Sequence, residues 1–243
     1  EAPRVGTIGP TVVDVETRLD TEVGKDLTPE HGGEVGELLV DGPNVTQGYW
    51  DLPDETEAAF TDDGYFRTGD IVEEHPDGYI SFRERAKELL VLSTGKNVAP
   101  GPIEDAFAAN PFVEQVMAIG DGEKFTAALI VPDFERVKAA AEQQGIEVPA
   151  TPEEMCGDEN VRAAVQNEVD RVNARFEPHE RIKQFRLTRE EWTEENGLLT
   201  PAQKKKRPDI MESYSEAVED IYSEDGSGTD GGDERSPSAE PAD

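Results

Sequence analysis

Between Tyr65 and Asn97 the chain reads YFRTGDIVEEHPDGYISFRERAKELLVLSTGKN, a run that leaves its backbone few options. An aromatic strand segment ends at Thr68-Gly69-Asp70, where Gly69 permits a tight backbone and Asp70 offers a short carboxylate able to accept hydroxyl donors, as a ribose diol would supply. His75-Pro76-Asp77-Gly78 has the composition of a hairpin turn, and Tyr79-Ile80-Ser81-Phe82 returns with strand alternation. That return carries Arg85 back toward the level of Asp70, so an acceptor and a forked donor are expected to converge on one ligand. Taken singly these are short patterns, equally readable as a carboxylate finishing a turn and a surface cation.

The rest of the chain supports that stretch. Before it, Val13, Val15, Thr17 and Leu19 alternate with Asp14, Glu16 and Arg18 as in a half-buried strand, Gly36 to Val40 reads as another, and Asp54 to Phe60 as a short helix with acid in its first turn. Antiparallel sheet is expected there. After Glu88 the pattern mixes helix and strand. Leu89 to Leu92 is an apolar strand run entering the Ser93-Thr94-Gly95-Lys96-Asn97 loop, and Pro102 opens a helix with Glu104 and Asp105 in its first turn. Val116–Ile119 and Thr126–Val131 read as a hairpin, and Asp133 caps a helix that stops at Gly145. Asn160 to Ala174 sets Val161, Val165, Val169 and Val172 on one stripe, Arg181 to Leu187 reads as a strand, and Ile210, Met211, Tyr214, Val218 and Ile221 mark one terminal amphipathic helix.

Charge narrows the partners. The 243 residues carry a formal charge of −32 with 35% hydrophobic content, which argues against nucleic acid or an anionic membrane as a partner because both would be repelled. Apolar periodicity before residue 223 argues against disorder as the cause, and a halophile's carboxylate surface is the better reading. Such a protein is expected to unfold on dialysis to low salt, and indifference of its circular dichroism to salt would refute the reading. Cys156 is the only cysteine, so a reducing, cytoplasmic compartment is expected and no cysteine metal site is available. His31, His75 and His179 stand singly among turn residues and read as solvated or capping side chains. No run is long and apolar enough for a transmembrane segment.

The Tyr65–Asn97 run resembles the seventh and eighth core motifs of the adenylate-forming superfamily, and DGYISFRERAKELL beside STGKNVAPGPIED is most similar to long-chain fatty acid:CoA ligases. Leu199-Thr200-Pro201-Ala202-Gln203-Lys204-Lys205-Lys206-Arg207 is similar to the tenth motif. The resemblance implies that Asp70 and Arg85 bind the nucleotide, Lys87 is the hinge of the small domain, Gly95 and Lys96 line the CoA path, and Lys204 is the catalytic lysine, with Lys206 the other candidate for the inward position. It implies an α+β fold: the end of the N-terminal domain, an antiparallel β-barrel-like subdomain, over residues 1–86, then the small C-terminal α+β domain over 87–222; residues 223–243, rich in Gly, Ser, Asp, Glu and Pro with almost nothing to bury, read by composition as a disordered acidic tail.

The implied activity is ATP-dependent formation of an acyl-adenylate and then an acyl-CoA thioester, with fatty acid, ATP and CoA as partners and Mg2+ as cofactor. No Gly-rich phosphate loop and no Tyr-Gly-x-Thr-Glu magnesium segment occurs in these residues, so the chain is expected to be a C-terminal portion that needs a complementing N-terminal polypeptide and holds no metal ligand itself. The other readings are a noncatalytic AMP-binding or subunit-interaction module derived from such a ligase, and an adenylating domain that serves a carrier protein.

Overall fold

The computed structural model describes residues 3–223. Its first part contains β1 (Gly9–Pro10), β2 (Glu16–Asp20), β3 (Glu34–Asp41), helix α1 (Pro53–Ala58), β4 (Phe66–Glu74) and β5 (Tyr79–Arg85). The strands form one antiparallel sheet in the order β1-β5-β4-β3-β2. The two edge strands are nearly consecutive in sequence, and the hydroxyls of Thr11 and Thr17 meet at 2.7 Å, so the sheet curls until its edges approach. This is the barrel-like form expected. The β4–β5 turn falls where its composition puts it, with the Gly78 N–H donating to the His75 carbonyl at 2.9 Å.

A 3-10 turn at Ala86–Glu88 leads to the second part: β6 (Leu90–Val91), β7 (Asn97–Val98), α2 (Pro100–Asp105), β8 (Val113–Ile119), β9 (Ala127–Pro132), α3 (Phe134–Gln144), α4 (Pro152–Cys156), α5 (Glu159–Asn173), β10 (Gln184–Leu187), α6 (Arg207–Ser213) and α7 (Ser215–Ser223). A three-stranded sheet runs β10-β9-β8, with β9 antiparallel to β8 and parallel to β10. All of β9 is buried because both faces are covered. Ala128 and Ile130 pack with Ile103, Phe107 and Val165, Val169 and Val172 of α5, while Leu129 and Val131 pack with Trp192, Ile210 and Ile221. The valine stripe of α5 is buried at all four positions, each contributing about 1.5 kcal/mol of transfer free energy.

The helix caps follow the local chemistry. Asp133 Oδ1 accepts the Arg136 N–H at 2.9 Å, Gly145 closes α3 in the left-handed region, and Asp158 Oδ1 accepts the N–H groups of Asn160 and Val161 at the start of α5. Thr151 caps α4, which the sequence reading did not anticipate. Burial pushes the Cys156 thiol up to about 11, so it stays protonated at neutral pH.

Four local expectations change. Val13 is 86% exposed, because Asp14 turns the chain with φ at 65° and β2 begins only at Glu16. α2 starts at Pro100, which takes the first helical turn and leaves Glu104 and Asp105 near its end. The terminal amphipathic segment is two helices, broken at Tyr214 with φ −115°, and Met211 is left exposed while Ile210 and Ile221 are buried. His75 is buried: its ring stacks on His31 at 4.2 Å and its Nε2 lies 2.8 Å from the Ser81 hydroxyl. Ser223 is the last residue of α7, and the remainder of the acidic tail expected over 223–243 lies outside the described residues.

Candidate functional site

The site begins as a bulge. β3 and β4 are in register at Glu37–Ile71 and again at Leu39–Arg67, so β4 carries extra residues between those pairs and Thr68-Gly69-Asp70 is pushed out of the ladder. Glu37, buried at 6% exposure, holds the bulge by accepting the Gly69 N–H at 3.1 Å and Arg67 Nη1 at 2.7 Å. The Thr68 hydroxyl donates to the Leu38 carbonyl at 2.7 Å and accepts the Asp70 N–H at 3.1 Å.

Across the β4–β5 ladder Asp70 stands opposite Arg85, and Arg85 Nη1 lies 2.9 Å from Asp70 Oδ1. That approach is an ion pair off the N–H direction, so Oδ1 has no hydrogen-bond donor among the described residues. The carboxylate is therefore charge-compensated, with a solvent-shielded Oδ1 that no donor satisfies among the described residues.

Lys87 sits in the 3-10 turn after Arg85 and lines a cleft of about 770 Å³ together with Met117, Asp121, Lys206 and Met211. The Ser93–Asn97 loop folds as a tight turn between β6 and β7, with Gly95 at φ 80°, a value only glycine adopts without strain. Lys96 is held against the five-stranded sheet, its Nζ 2.6 Å from Asp26 Oδ1.

The basic run forms a second hairpin. The Thr200 N–H donates to the Lys204 carbonyl at 2.8 Å, the Lys204 N–H to the Thr200 hydroxyl at 3.1 Å, and the Lys206 N–H to the Leu198 carbonyl at 2.9 Å, with Gln203 in the left-handed region. Lys205 and Arg207 both pair with Glu104, and Arg207 also donates to the Ala118 carbonyl. Lys206 reaches Asp209 at 3.6 Å. Lys204 is exposed and makes no ion pair among the described residues. The chain thus spends Lys205 and Arg207 on anchoring and leaves one ammonium free at the tip.

Sequence reasoning anticipated that Arg85 returns to the level of Asp70 but missed Glu37 and Glu104, the carboxylates that hold the bulge and the hairpin. Their signal is weak, because each is one acid among many and its role depends on a contact far along the chain. It also missed the knot around Glu73. This fully buried carboxylate accepts the N–H groups of Glu30, His31 and Gly33 and pairs with Arg83 at 3.3 Å, while His31 Nδ1 approaches it at 3.3 Å. The ligand atoms of His31, Glu73 and His75 lie within 4.8 Å of one another, but the two rings are stacked face to face, so their in-plane lone pairs do not meet at one point.

The adenylation domain of the carboxylic acid reductase from Segniliparus rugosus, solved with AMP and a co-purified carboxylic acid, matches 88% of this chain with a TM-score of 0.67 and 26% identity, and 32% of that chain is covered. The fold is therefore that of the closing portion of an adenylate-forming enzyme's adenylation domain. The AMP-binding enzyme C-terminal domain profile matches residues 87–226, more than half of the chain, and the chain belongs to that family.

Long-chain-fatty-acid–CoA ligase FadD15 of Mycobacterium tuberculosis is 32% identical over 91% of this chain and 35% of its own length. Human long-chain-fatty-acid–CoA ligase 1 is 35% identical over 77% of this chain and 27% of its own length. The chain spans about a third of the length of these curated relatives. No helix among the described residues is long and apolar enough to cross a membrane.

Proposed function

We propose that these residues are the C-terminal portion of a long-chain fatty acid:CoA ligase, which activates a fatty acid with ATP to an acyl-adenylate and passes the acyl group to CoA. The observation that carries the reading is the free ammonium of Lys204, exposed at the tip of a hairpin that Lys205 and Arg207 anchor on Glu104. A compact charge so presented can lie between an attacking carboxylate and an α-phosphate and stabilise the negative charge that develops there. Asp70 accepts the ribose hydroxyls, and Arg85 compensates that carboxylate while facing the same nucleotide.

Lys87 is the hinge between a part that ends at Ala86 and the small domain that follows, and Gly95 with Lys96 borders the CoA path. Relatives named as fatty acid–CoA ligases support the substrate class. Magnesium and the triphosphate contacts are assigned to a segment outside these residues, held by a complementing N-terminal polypeptide or by the same longer chain. A halophilic, cytoplasmic setting fits the acid excess and the single cysteine.

The test is fatty-acid-dependent ATP–pyrophosphate exchange by the purified chain in high salt, alone and with the separately expressed N-terminal region of a related ligase. Exchange only in the combined sample is expected. Silence in both, from folded protein that still binds AMP, would favour a noncatalytic AMP-binding or subunit-interaction module.

A further inference from the structure

We infer that Asp26 and Glu84 are positioning residues that fix how the segment after Glu88 sits against the five-stranded sheet, and that the Asp26 contact is the one released when that orientation changes. The inference rests on the proposed two-step ligase reaction only for its consequence, and on contacts for its substance. The chain passes from one part to the other through the 3-10 turn Ala86–Glu88. On one side of that turn Glu84, 6% exposed, accepts the Arg85 N–H at 2.9 Å and the Gly101 N–H at 2.7 Å, so one carboxylate ties the last turn of β5 to the start of α2. A Cβ at Gly101 would stand 2.7 Å from that carboxylate, and the absent side chain is what admits it.

On the other side Asp26, in the loop between β2 and β3, accepts Lys96 Nζ at 2.6 Å and the Asn97 N–H at 3.4 Å. The hydrogen bond from Lys96 holds the Asp26 carboxyl below its ordinary range. Between the two clasps, Ala99 and Leu89 pack on Leu27, Val35 and Ile71.

The clasps differ in reach and in accessibility. Glu84 lies within a few residues of the turn, so a rotation there displaces it little, and it is sealed from solvent. Asp26 grips a loop tip through a lysine whose side chain is half-exposed, which makes it the more accessible of the two contacts.

In this orientation the glycine loop is docked on the sheet, while the side-chain hydrogen bonds and ion pairs of the lysine hairpin go to Glu104, Ala118 and Asp209, all beyond the turn. The Asp26 clasp therefore favours an arrangement in which the glycine loop, rather than the lysine hairpin, is tied to the first part of the chain. Its release frees the small domain to bring Lys204 toward the nucleotide.

Spin labels on Asp62→Cys and Glu142→Cys, both exposed, in a Cys156→Ser background report the separation of the two parts without ATP, fatty acid or CoA. One dominant distance is expected for the parent. Asp26→Ala, or Lys96→Met if the first does not fold, is expected to lower the occupancy of that distance and to speed amide exchange at Asn97 about tenfold, while Leu129 and Ile130 are unchanged. Asp26→Glu is expected to restore the parent distribution. Unchanged distances and exchange in both Asp26→Ala and Lys96→Met would overturn the inference. A chain silent in pyrophosphate exchange would leave it standing, because neither readout depends on turnover.

Discussion

Replacing Lys204 with alanine is expected to lower ATP–pyrophosphate exchange about a hundredfold in the reconstituted system, equivalent to roughly 3 kcal/mol of lost transition-state stabilisation. The size of the effect follows from the shortage of alternative charge. Lys205 and Arg207 are committed to Glu104, and Lys206 faces Asp209 at 3.6 Å, which leaves Lys206 as the one neighbouring cation to compare. The fold should not notice the change, since the Lys204 side chain pairs with nothing among the described residues and its hairpin bonds are made by its backbone. An unfolding midpoint unchanged within about 0.5 kcal/mol is expected.

Thioester formation from supplied acyl-adenylate should fall far less, because no carboxylate is then attacking phosphorus. Equal losses in the two half reactions would refute the assignment. Lys206→Ala serves as the comparison and should change exchange by less than about threefold, and a hundredfold loss there with Lys204→Ala silent would exchange their roles.

Glu73→Ala is expected to be the most damaging substitution for stability, at about 3–5 kcal/mol, because it strands three backbone N–H groups and leaves Arg83 with Glu30 as its remaining ion-pair partner. Urea denaturation in high salt measures this directly, and a loss below about 1 kcal/mol would show that the knot is not a structural centre. The same carboxylate sets a pH dependence. Burial alone would raise its pKa, but the backbone N–H groups and His31 favour the charged form and hold it below the ordinary glutamate value. A group depressed in the folded state stabilises the protein above the unfolded-state value, about 4.3, and that stability is lost as the pH falls through the folded value. Parent and variant should therefore converge in stability as the pH drops through that window.

The Asp70–Arg85 pair was legible in the sequence because it depends on turn chemistry and a short return strand, both of which are local. The α5 valine stripe and the Asp133 and Gly145 caps were legible for the same reason. What escaped are the carboxylates that work at a distance. Asp26 meets Lys96 across 70 residues and Glu104 meets Lys205 across 101, and no periodicity marks one acid in so acidic a chain as the one with a partner. His75 read as a turn residue because its burial is supplied by His31 and Ser81, which pack on it only after β4 and β5 have paired. The break at Tyr214 was hidden because the apolar spacing continues across it into α7.

β10 pairs in parallel with β9, and the whole of α3, α4 and α5 lies between them. Parallel pairing of this kind cannot form until the intervening crossover exists, and synthesis delivers the chain from its N-terminal end. Asp70 can therefore find Arg85 while most of the chain is still to be translated, whereas Glu104 must wait for Lys205 and Arg207 near the end. The order of appearance on the ribosome thus becomes an order of assembly: the Asp70–Arg85 pair can form before Lys205 and Arg207 have emerged to anchor their hairpin on Glu104, so a chain cut between Arg85 and Lys205 could keep the first arrangement without the second.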